Sequence, residues 1–256
     1  MDVGYYLNDA DIKELLESIF GQKKFHNLLT EMKRYNPFDF DVDSIEVLDG
    51  LKFDTLSPKQ DVVTAKAIDL KINEKMGIRY ITRYFNGNVE DTSDFITGYL
   101  VNETTEGDST VIHQIIFRAA NDTTVSIIEN SLTEEVFAAN KEQESSFKEE
   151  YNYDENYYPG QLLEQINTEG VVDGCLAGGY IYCGGNCGGY PACESSVKGI
   201  NALDNCCKTH DCCYKYNGVD KYPHCMCDQR LCDCSQASGV TWVDRYQVQA
   251  VMCFVC

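Results

Sequence analysis

The sequence predicts an α+β N-terminal part, an antiparallel sheet with flanking helices, joined to a small, disulfide-rich and mainly helical C-terminal part. Two observations support this division. All fourteen cysteines of the 256-residue chain lie after residue 174, and the helical and β-branched patterns of a conventional core lie before residue 130. We therefore expect an acidic, cysteine-free domain at 1–150, a linker at 151–160 and a disulfide-rich domain at 161–256.

Two amphipathic helices are predicted at the start of the chain. Asn8 and Asp9 can cap the first helix, and Gly21 ends it. The second helix ends near Asn36 and Pro37. Their apolar stripes are Ile12, Leu15, Leu16, Ile19 and Phe20 in the first helix and Phe25, Leu28, Leu29 and Met32 in the second.

The next segments alternate polar and apolar residues and are rich in β-branched side chains, which is typical of strands. Turn signals such as Asn86-Gly87-Asn88 separate them. Residues 133–150 are polar and rich in Glu and Lys, which predicts a surface helix. A short amphipathic helix is expected after the linker, with Leu162, Leu163 and Ile166 on one side. The predicted strands are 62–72, 79–85, 95–101, 111–117 and 124–128.

The charge of the chain excludes one class of partner. There are 41 acidic and 21 basic residues, a net charge of −20, which would repel a phosphate backbone, so we expect no nucleic-acid binding. The same balance suits attraction of divalent cations. No run approaches the ~18 consecutive apolar residues of a membrane-spanning helix.

The cysteines favour disulfides and therefore a secreted or extracytoplasmic location. No secretory signal is visible at Met1-Asp2-Val3-Gly4, which leaves the export route open. A reduced zinc domain is the alternative, although adjacent Cys-Cys and Cys-x-Cys pairs fit structural zinc poorly. Its ligands would come from Cys206, Cys207, Cys212, Cys213, Cys225, Cys227, His210 and His224.

The run from Leu203 to Tyr214 carries the most chemical information. On a helix, His210 lies within one turn of several cysteines, so bridges on both sides would clamp the backbone around it. A rigid histidine next to the carboxylate of Asp211 is a candidate general base beside a metal ligand. A surface histidine on a stapled helix is the alternative. His26 and His113 lie in apolar contexts and are interpreted as packed or surface residues.

Two further segments favour the first interpretation. The glycine-rich run from Tyr180 to Pro191 allows backbone carbonyls to turn inward, and such hard oxygens are the ligands that calcium prefers. Pro223 suits the first turn of a second helix, on whose edge Asp228 would face a neighbouring helix.

Together these three segments resemble secreted phospholipase A2. That family has a Tyr-Cys-Gly calcium loop, a Cys-Cys-x-x-His-Asp-x-Cys helix, and a second helix with Cys-x-Cys-Asp and a cysteine six residues after the Asp. Residues 206–213 match the first helix motif, with Leu203-Asp204 ahead of them, and Cys225 to Asp228 with Cys234 match the second. The resemblance covers about residues 175–235 and none of residues 1–158.

The resemblance implies calcium-dependent hydrolysis of the sn-2 acyl ester of glycerophospholipids, with a phospholipid membrane surface as substrate. His210 would be the general base that activates water, and Asp228 would orient its imidazole and stabilise the cation. Tyr214 would hydrogen-bond Asp228. The implied disulfides are Cys183–Cys207, Cys206–Cys234 and Cys213–Cys227.

The resemblance also implies the calcium site. Asp211 would be the carboxylate ligand, and the carbonyls of Tyr182, Gly184 and Asn186 would complete the shell, with the Gly184 N–H supporting the oxyanion. Because Cys187 replaces a glycine of the family's loop, Gly185 could supply the third carbonyl instead of Asn186.

Two other functions remain open at this point. The C-terminal part could be a non-catalytic toxin or binding module on the same scaffold, although such a module would have no chemical reason to keep His210, Asp211 and Asp228 together. It could also be a cysteine-rich, bacteriocin-like membrane-active peptide with residues 1–158 as a pro-segment. For the enzyme, we expect residues 1–158 to fold alone and serve in control or delivery.

Overall fold

The protein's structure, a computed structural model, describes residues 4–57, 59, 61–106, 109–119, 121–133, 156–161, 175–176, 179–184, 187–219, 222–237 and 242–254. Its first part is one antiparallel sheet of seven strands, in which each strand pairs with its neighbour along the chain. The strands are β1 (Gly4–Tyr6), β2 (Glu46–Leu56), β3 (Val62–Asn73), β4 (Met76–Phe85), β5 (Ser93–Glu106), β6 (Ser109–Ala119) and β7 (Val125–Thr133).

The structure confirms the five predicted strands and extends several of them. The turn at Asn86 and Gly87 begins the connection from β4 to β5 and has positive φ at both residues (47° and 75°), the left-handed region that favours Asn and Gly. Strands β1 and β2 were not predicted. The sequence of β2 carries Asp49 and Gly50 near its middle, and its register shifts between Val47 and Asp49, which interrupts the alternation that signals a strand.

The two predicted helices cover one face of the sheet. They are α1 (Asp9–Phe20) and α2 (Lys23–Tyr35), and the side chain of Asn8 caps the first by accepting from the N–H of Asp11 at 2.8 Å. The helices and the sheet both contribute side chains to the hydrophobic core between them. Its fully buried members include Ile19, Phe25, Leu28 and Met32 from the helices and Ile68, Leu70, Ile78, Ile96 and Phe117 from the sheet.

The other face of the sheet is covered by the last helix of the chain, α5 (Trp242–Met252), which the sequence analysis did not predict. Tyr246 and Ala250 of this helix pack against a group of buried strand residues: Leu51, Phe53, Ala65, Ala67 and Ile81. The rings of Phe53 and Tyr246 are stacked, with centroids 6.2 Å apart. The cysteine-free and the cysteine-rich parts of the chain therefore share a hydrophobic core.

The described residues of the predicted linker also contact the sheet. The completely buried carboxylate of Asp54 in β2 accepts hydrogen bonds from the hydroxyl of Tyr157 and from the N–H of Gly160, the latter at 2.9 Å. A surface helix was expected at residues 133–150. Thr133 instead belongs to β7, and residues 134–150 lie outside the described residues. The amphipathic helix predicted around Leu162 also lies outside them.

The C-terminal part is helical and held by disulfides. Its helices are α3 (Ala202–Tyr216), α4 (Cys225–Ala237) and α5, with a 3₁₀ turn at Cys187–Gly189. The three disulfides implied by the family resemblance are present. Three more join Cys175 to Cys187, Cys193 to Cys212 and Cys232 to Cys253. So many disulfides indicate an oxidising, extracytoplasmic environment.

Within the described ranges, the helices are all too short or too polar to cross a bilayer.

Candidate active site

Two cross-linked helices carry the candidate catalytic residues. Cys206, near the start of α3, is bonded to Cys234, near the end of α4, and Cys213 is bonded to Cys227. The helices therefore run antiparallel, with a disulfide near each end of their contact. His210 lies on α3 between the two bridges, which fixes the backbone on both sides of its imidazole.

His210 and Asp228 form a close pair across this contact. The Nε2 atom of His210 lies 2.8 Å from Oδ1 of Asp228. The Asp228 side chain is completely buried and the His210 side chain is 11% exposed, so the pair is largely shielded from solvent. Because a carboxylate only accepts, Nε2 carries the proton and Nδ1 of the neutral ring is left with a lone pair.

Every oxygen of Asp228 has a donor. Oδ1 also accepts from the hydroxyl of Tyr214 at 2.7 Å, and Oδ2 accepts from the backbone N–H of His224 at 2.8 Å. Burial raises the pKa of Asp228, but hydrogen bonds from His210, Tyr214 and the His224 N–H outweigh burial and hold that pKa below its ordinary value. Asp228 is therefore a buried carboxylate that stays charged beside His210.

The free side of the imidazole faces Asp211. Nδ1 of His210 lies 3.5 Å from Oδ1 of Asp211, whose side chain is 45% exposed. Burial lowers the pKa of His210, but hydrogen bonding to Asp211 and Asp228 outweighs burial and raises the pKa above its ordinary value. The histidine is thus a base of increased proton affinity, with one carboxylate on each ring nitrogen.

The segment before this helix is fastened to α3 by a second buried carboxylate. Asp204 is fully buried and accepts from four backbone N–H groups. These belong to Ile181, Tyr182 and Cys183, with Tyr182 closest at 2.8 Å, and to Ile200 at 3.0 Å. The disulfide between Cys183 and Cys207 adds a covalent link to the same helix. In the sequence, only the family motif marks Asp204.

The residues expected to hold calcium are consistent with a site for a hard cation. Asp204 and Asp211 are seven residues apart on α3, so they lie on one helix face, and the segment with Tyr182 and Gly184 is anchored to that face. Gly184 has φ of 130°, in the region that favours glycine. A half-exposed carboxylate with backbone carbonyls is the donor set that calcium prefers.

Other parts of the expected calcium site lie outside the described residues. These are Asn186 and its alternative, Gly185. No group of three or more His, Cys, Asp or Glu side chains among the described residues could hold a metal ion. Tyr182 is buried, and its hydroxyl donates to the carbonyl of Val197 at 2.9 Å.

Comparison with known proteins gives no relative. No protein-family model, no curated protein and no solved structure matches this chain. The interpretation of the site therefore depends on its own geometry and on the motifs in the sequence.

The loop that contains Cys193, Glu194 and Val197 is attached to α3. Cys193 is bonded to Cys212, and Glu194 forms an ion pair with Lys215. Lys208 donates to the carbonyls of Ser195 and Val197 at 2.8 and 2.6 Å. The additional cysteine of the helix motif, Cys212, thus ties this loop next to Asp211. The pairing could not be predicted, because the resemblance supplies no partner for Cys212.

The alternative zinc site lacks its thiolates, since no described cysteine is free. His224 acts through its backbone N–H on Asp228, with its ring 5.8 Å from that of Tyr214. His26 and His113 lie in the N-terminal part, where they bond the carbonyl of Phe20 and the hydroxyl of Thr104.

Proposed function

We propose that this protein is a calcium-dependent hydrolase of glycerophospholipids that cleaves the sn-2 acyl ester with water. The observation that carries the proposal is the hydrogen bond from Nε2 of His210 to the buried Asp228, with Nδ1 facing Asp211. A histidine whose inner nitrogen is bound to a charged carboxylate and whose outer nitrogen is free to take a proton is arranged as a general base.

The chain's own residues divide the chemistry as follows. Nδ1 of His210 takes a proton from water, which then attacks the ester carbonyl. The imidazolium that forms is stabilised by Asp228, which Tyr214 and the His224 N–H keep in place and charged. The same proton is later available for the departing alkoxide, which leaves as the lysophospholipid hydroxyl while the acyl group leaves as fatty acid.

A calcium ion held by Asp211 and by carbonyls of Tyr182, Gly184 and Asn186 or Gly185 would polarise the ester carbonyl and stabilise the oxyanion. The chain contributes the rigidity of this site. Asp204 and the Cys183–Cys207 disulfide hold the loop on α3, and the backbone N–H of Gly184 is placed in this proposal to donate to the oxyanion.

The test is release of fatty acid from mixed phospholipid vesicles, with calcium and with a chelator. We expect release with calcium and none with chelator. His210→Ala is expected to lower the rate by about 10²–10⁴-fold and leave calcium binding intact. Asp211→Asn is expected to remove calcium binding in titration calorimetry together with activity.

His26→Ala is the matched control, since His26 lies on α2 and its ring is hydrogen-bonded to the carbonyl of Phe20; it should keep the wild-type rate. Leakage of vesicles without fatty acid release, unchanged by His210→Ala, would replace this proposal with a non-catalytic membrane-active module. Equal hydrolysis by the wild type and His210→Ala would remove His210 from the mechanism.

A further inference from the structure

Arg83, in strand β4, lies where the sheet meets the end of the last helix. Its side chain is buried, with 7% of the residue exposed, and it forms no ion pair with any described residue. Its guanidinium instead donates to the backbone carbonyls of Ala250 and Val251, the second at 3.1 Å. It also lies 4.0 Å from the centroid of the Phe254 ring.

These contacts fix the C-terminal end of α5 on the sheet. The last four carbonyls of a helix lack intrahelical partners and carry the negative end of its dipole, so a buried cation is a favourable cap. Burial lowers the pKa of Arg83 to about 10, which still leaves the guanidinium charged at neutral pH. Arg83 therefore binds α5 through charge and hydrogen bonds together.

The carbonyl of Val251 has a second donor. The hydroxyl of Tyr222 donates to it at 3.2 Å, so Arg83 and Tyr222 meet at one oxygen atom. Burial raises the pKa of Tyr222 to about 12; the Arg83 cation opposes this rise and the Asp228 carboxylate adds to it. Tyr222 thus lies within electrostatic reach of both the sheet cation and the candidate catalytic carboxylate.

Tyr222 is close in sequence to a residue of the candidate active site. Two residues after Tyr222, the backbone N–H of His224 donates to Oδ2 of Asp228 at 2.8 Å and lies 2.9 Å from the hydroxyl oxygen of Tyr214. The position of Tyr222 therefore constrains a donor that holds Asp228. The disulfide from Cys232 of α4 to Cys253 ties the end of α5 to the helix of Asp228.

We propose that Arg83 and Tyr222 are positioning residues for the His210–Asp228 pair, through which the N-terminal sheet keeps the active site in its reactive geometry. This inference rests on the proposed function for its catalytic readout. Arg83 touches no reacting atom, and its effect passes through the Val251 carbonyl, Tyr222 and the His224 N–H. The sheet is, on this account, part of the catalytic apparatus without supplying a catalytic group.

The test uses the full chain with conservative variants. Tyr222→Phe removes only the hydroxyl. Arg83→Lys keeps the charge but loses the guanidinium, whose Nη1 atom donates to both carbonyls and whose Nε atom donates to the hydroxyl of Ser93 at 3.2 Å. Each is expected to lower kcat about tenfold with KM and the calcium midpoint unchanged, which is typical of residues that orient a catalytic group. The double variant should lose no more than either single variant, because both act on one oxygen.

Two matched controls distinguish positioning of the active site from a general weakening of the contact between the sheet and the C-terminal part. Tyr84→Phe removes the hydroxyl of a half-buried tyrosine in the same strand, and Arg118→Lys changes another sheet arginine that reaches α4, 3.8 Å from Asp233. Both should keep kcat within about twofold. Equal losses in the controls, or unchanged kcat in both Tyr222→Phe and Arg83→Lys, would overturn the proposal.

A second readout does not need activity. Hydrogen exchange at the His224 amide should be faster in Tyr222→Phe and Arg83→Lys than in the wild type and in both controls. Absence of hydrolysis by the wild type would refute the proposed function. The hydrogen-exchange rates of the His224 amide would then still test whether Arg83 and Tyr222 position the His210–Asp228 pair. Unchanged exchange in both variants would refute the positioning even where hydrolysis is present.

Discussion

The hydroxyl of Tyr246, on the last helix, donates to the buried carboxylate of Asp69 in strand β3 at 2.6 Å. Asp69 also receives two hydrogen bonds from Arg79, both at 3.0 Å, and the Arg79 guanidinium lies 4.7 Å from the centroid of the Tyr246 ring. Burial raises the pKa of Asp69, but Arg79, Arg245 and Tyr246 outweigh it and lower that pKa. A buried ion pair of Asp69 and Arg79, which also binds the neutral hydroxyl of Tyr246, therefore joins the sheet to the disulfide-rich part.

Tyr246→Phe should destabilise the protein by about 1–3 kcal/mol, because it removes a hydrogen bond to a buried charge. The measurement is denaturant unfolding followed by circular dichroism. Tyr190→Phe, at a tyrosine that is 47% exposed, is the control and should change the free energy of unfolding by less than about 0.5 kcal/mol. Equal stability of the two variants would show that the contact contributes nothing.

Cleavage of the chain between residues 133 and 156 should leave the two fragments associated, because α5 and the sheet share a buried core. Size-exclusion chromatography after limited proteolysis should give one peak that contains both. The sequence alone predicts instead that residues 1–158 fold independently and serve in control or delivery of the hydrolase. Separation of the fragments in native buffer would support that view, and rates on monomeric and vesicle substrates before and after cleavage would then measure the control.

Asp228→Asn should lower the pKa of His210, because one of the two carboxylates that raise it is removed. NMR titration of the imidazole measures this directly. Asp233→Asn is the control, since Asp233 lies on the same helix but bonds Gln229. An unchanged His210 pKa in Asp228→Asn would mean that Asp211 alone sets the proton affinity of the base.

Hydrolysis should decrease as the pH falls through the pKa of His210, because only the neutral imidazole can accept a proton. Since that pKa is raised, the decrease should begin at a higher pH than for an unperturbed histidine. Calcium bound by Asp211 offsets one of the two charges that raise the pKa, so saturating calcium should move the acid limb of the kcat/KM profile to lower pH. An acid limb that does not move with calcium would argue against Asp211 as its ligand.

Replacement of Cys193 and Cys212 together by Ser should reduce the free energy of unfolding by about 2–4 kcal/mol, because the disulfide closes a loop of chain with a sequence separation of 19. Ser196→Ala, at an exposed position of the same loop, controls for substitution in the loop itself. A loss no larger than that of the control would assign the loop's attachment to Lys208 and the ion pair of Lys215 with Glu194.

The sequence predicted the elements that have a clear local pattern. Such patterns are the polar and apolar faces of helices α1 and α2 and the β-branched side chains of strands β3 to β7. Helix α5 has none, because Gln247 and Gln249 are as buried as Val248 and Ala250, so polarity does not mark its faces. Such a helix is recognised only when the surfaces around it are known.

Some residues of the candidate site could likewise be predicted from the sequence, and others could not. The spacing of His210, Asp211 and Asp228 could be read from the motif, and the structure brings all three together. The contact of Arg83 with Val251 joins residues 168 positions apart, and no local pattern marks either of them. Long-range polar contacts to backbone carbonyls leave no sequence signature, because any residue can supply the carbonyl.

The order of the strands has a consequence for synthesis of the chain. Each strand pairs with the one made just before it, so the sheet can assemble progressively from the N-terminus as the chain leaves the ribosome. Its second face, with Leu51, Phe53 and Ile81, stays bare until α5 has been made. A chain truncated before residue 242 would therefore expose an apolar sheet surface for aggregation, and the yield of folded protein should depend on synthesis of α5.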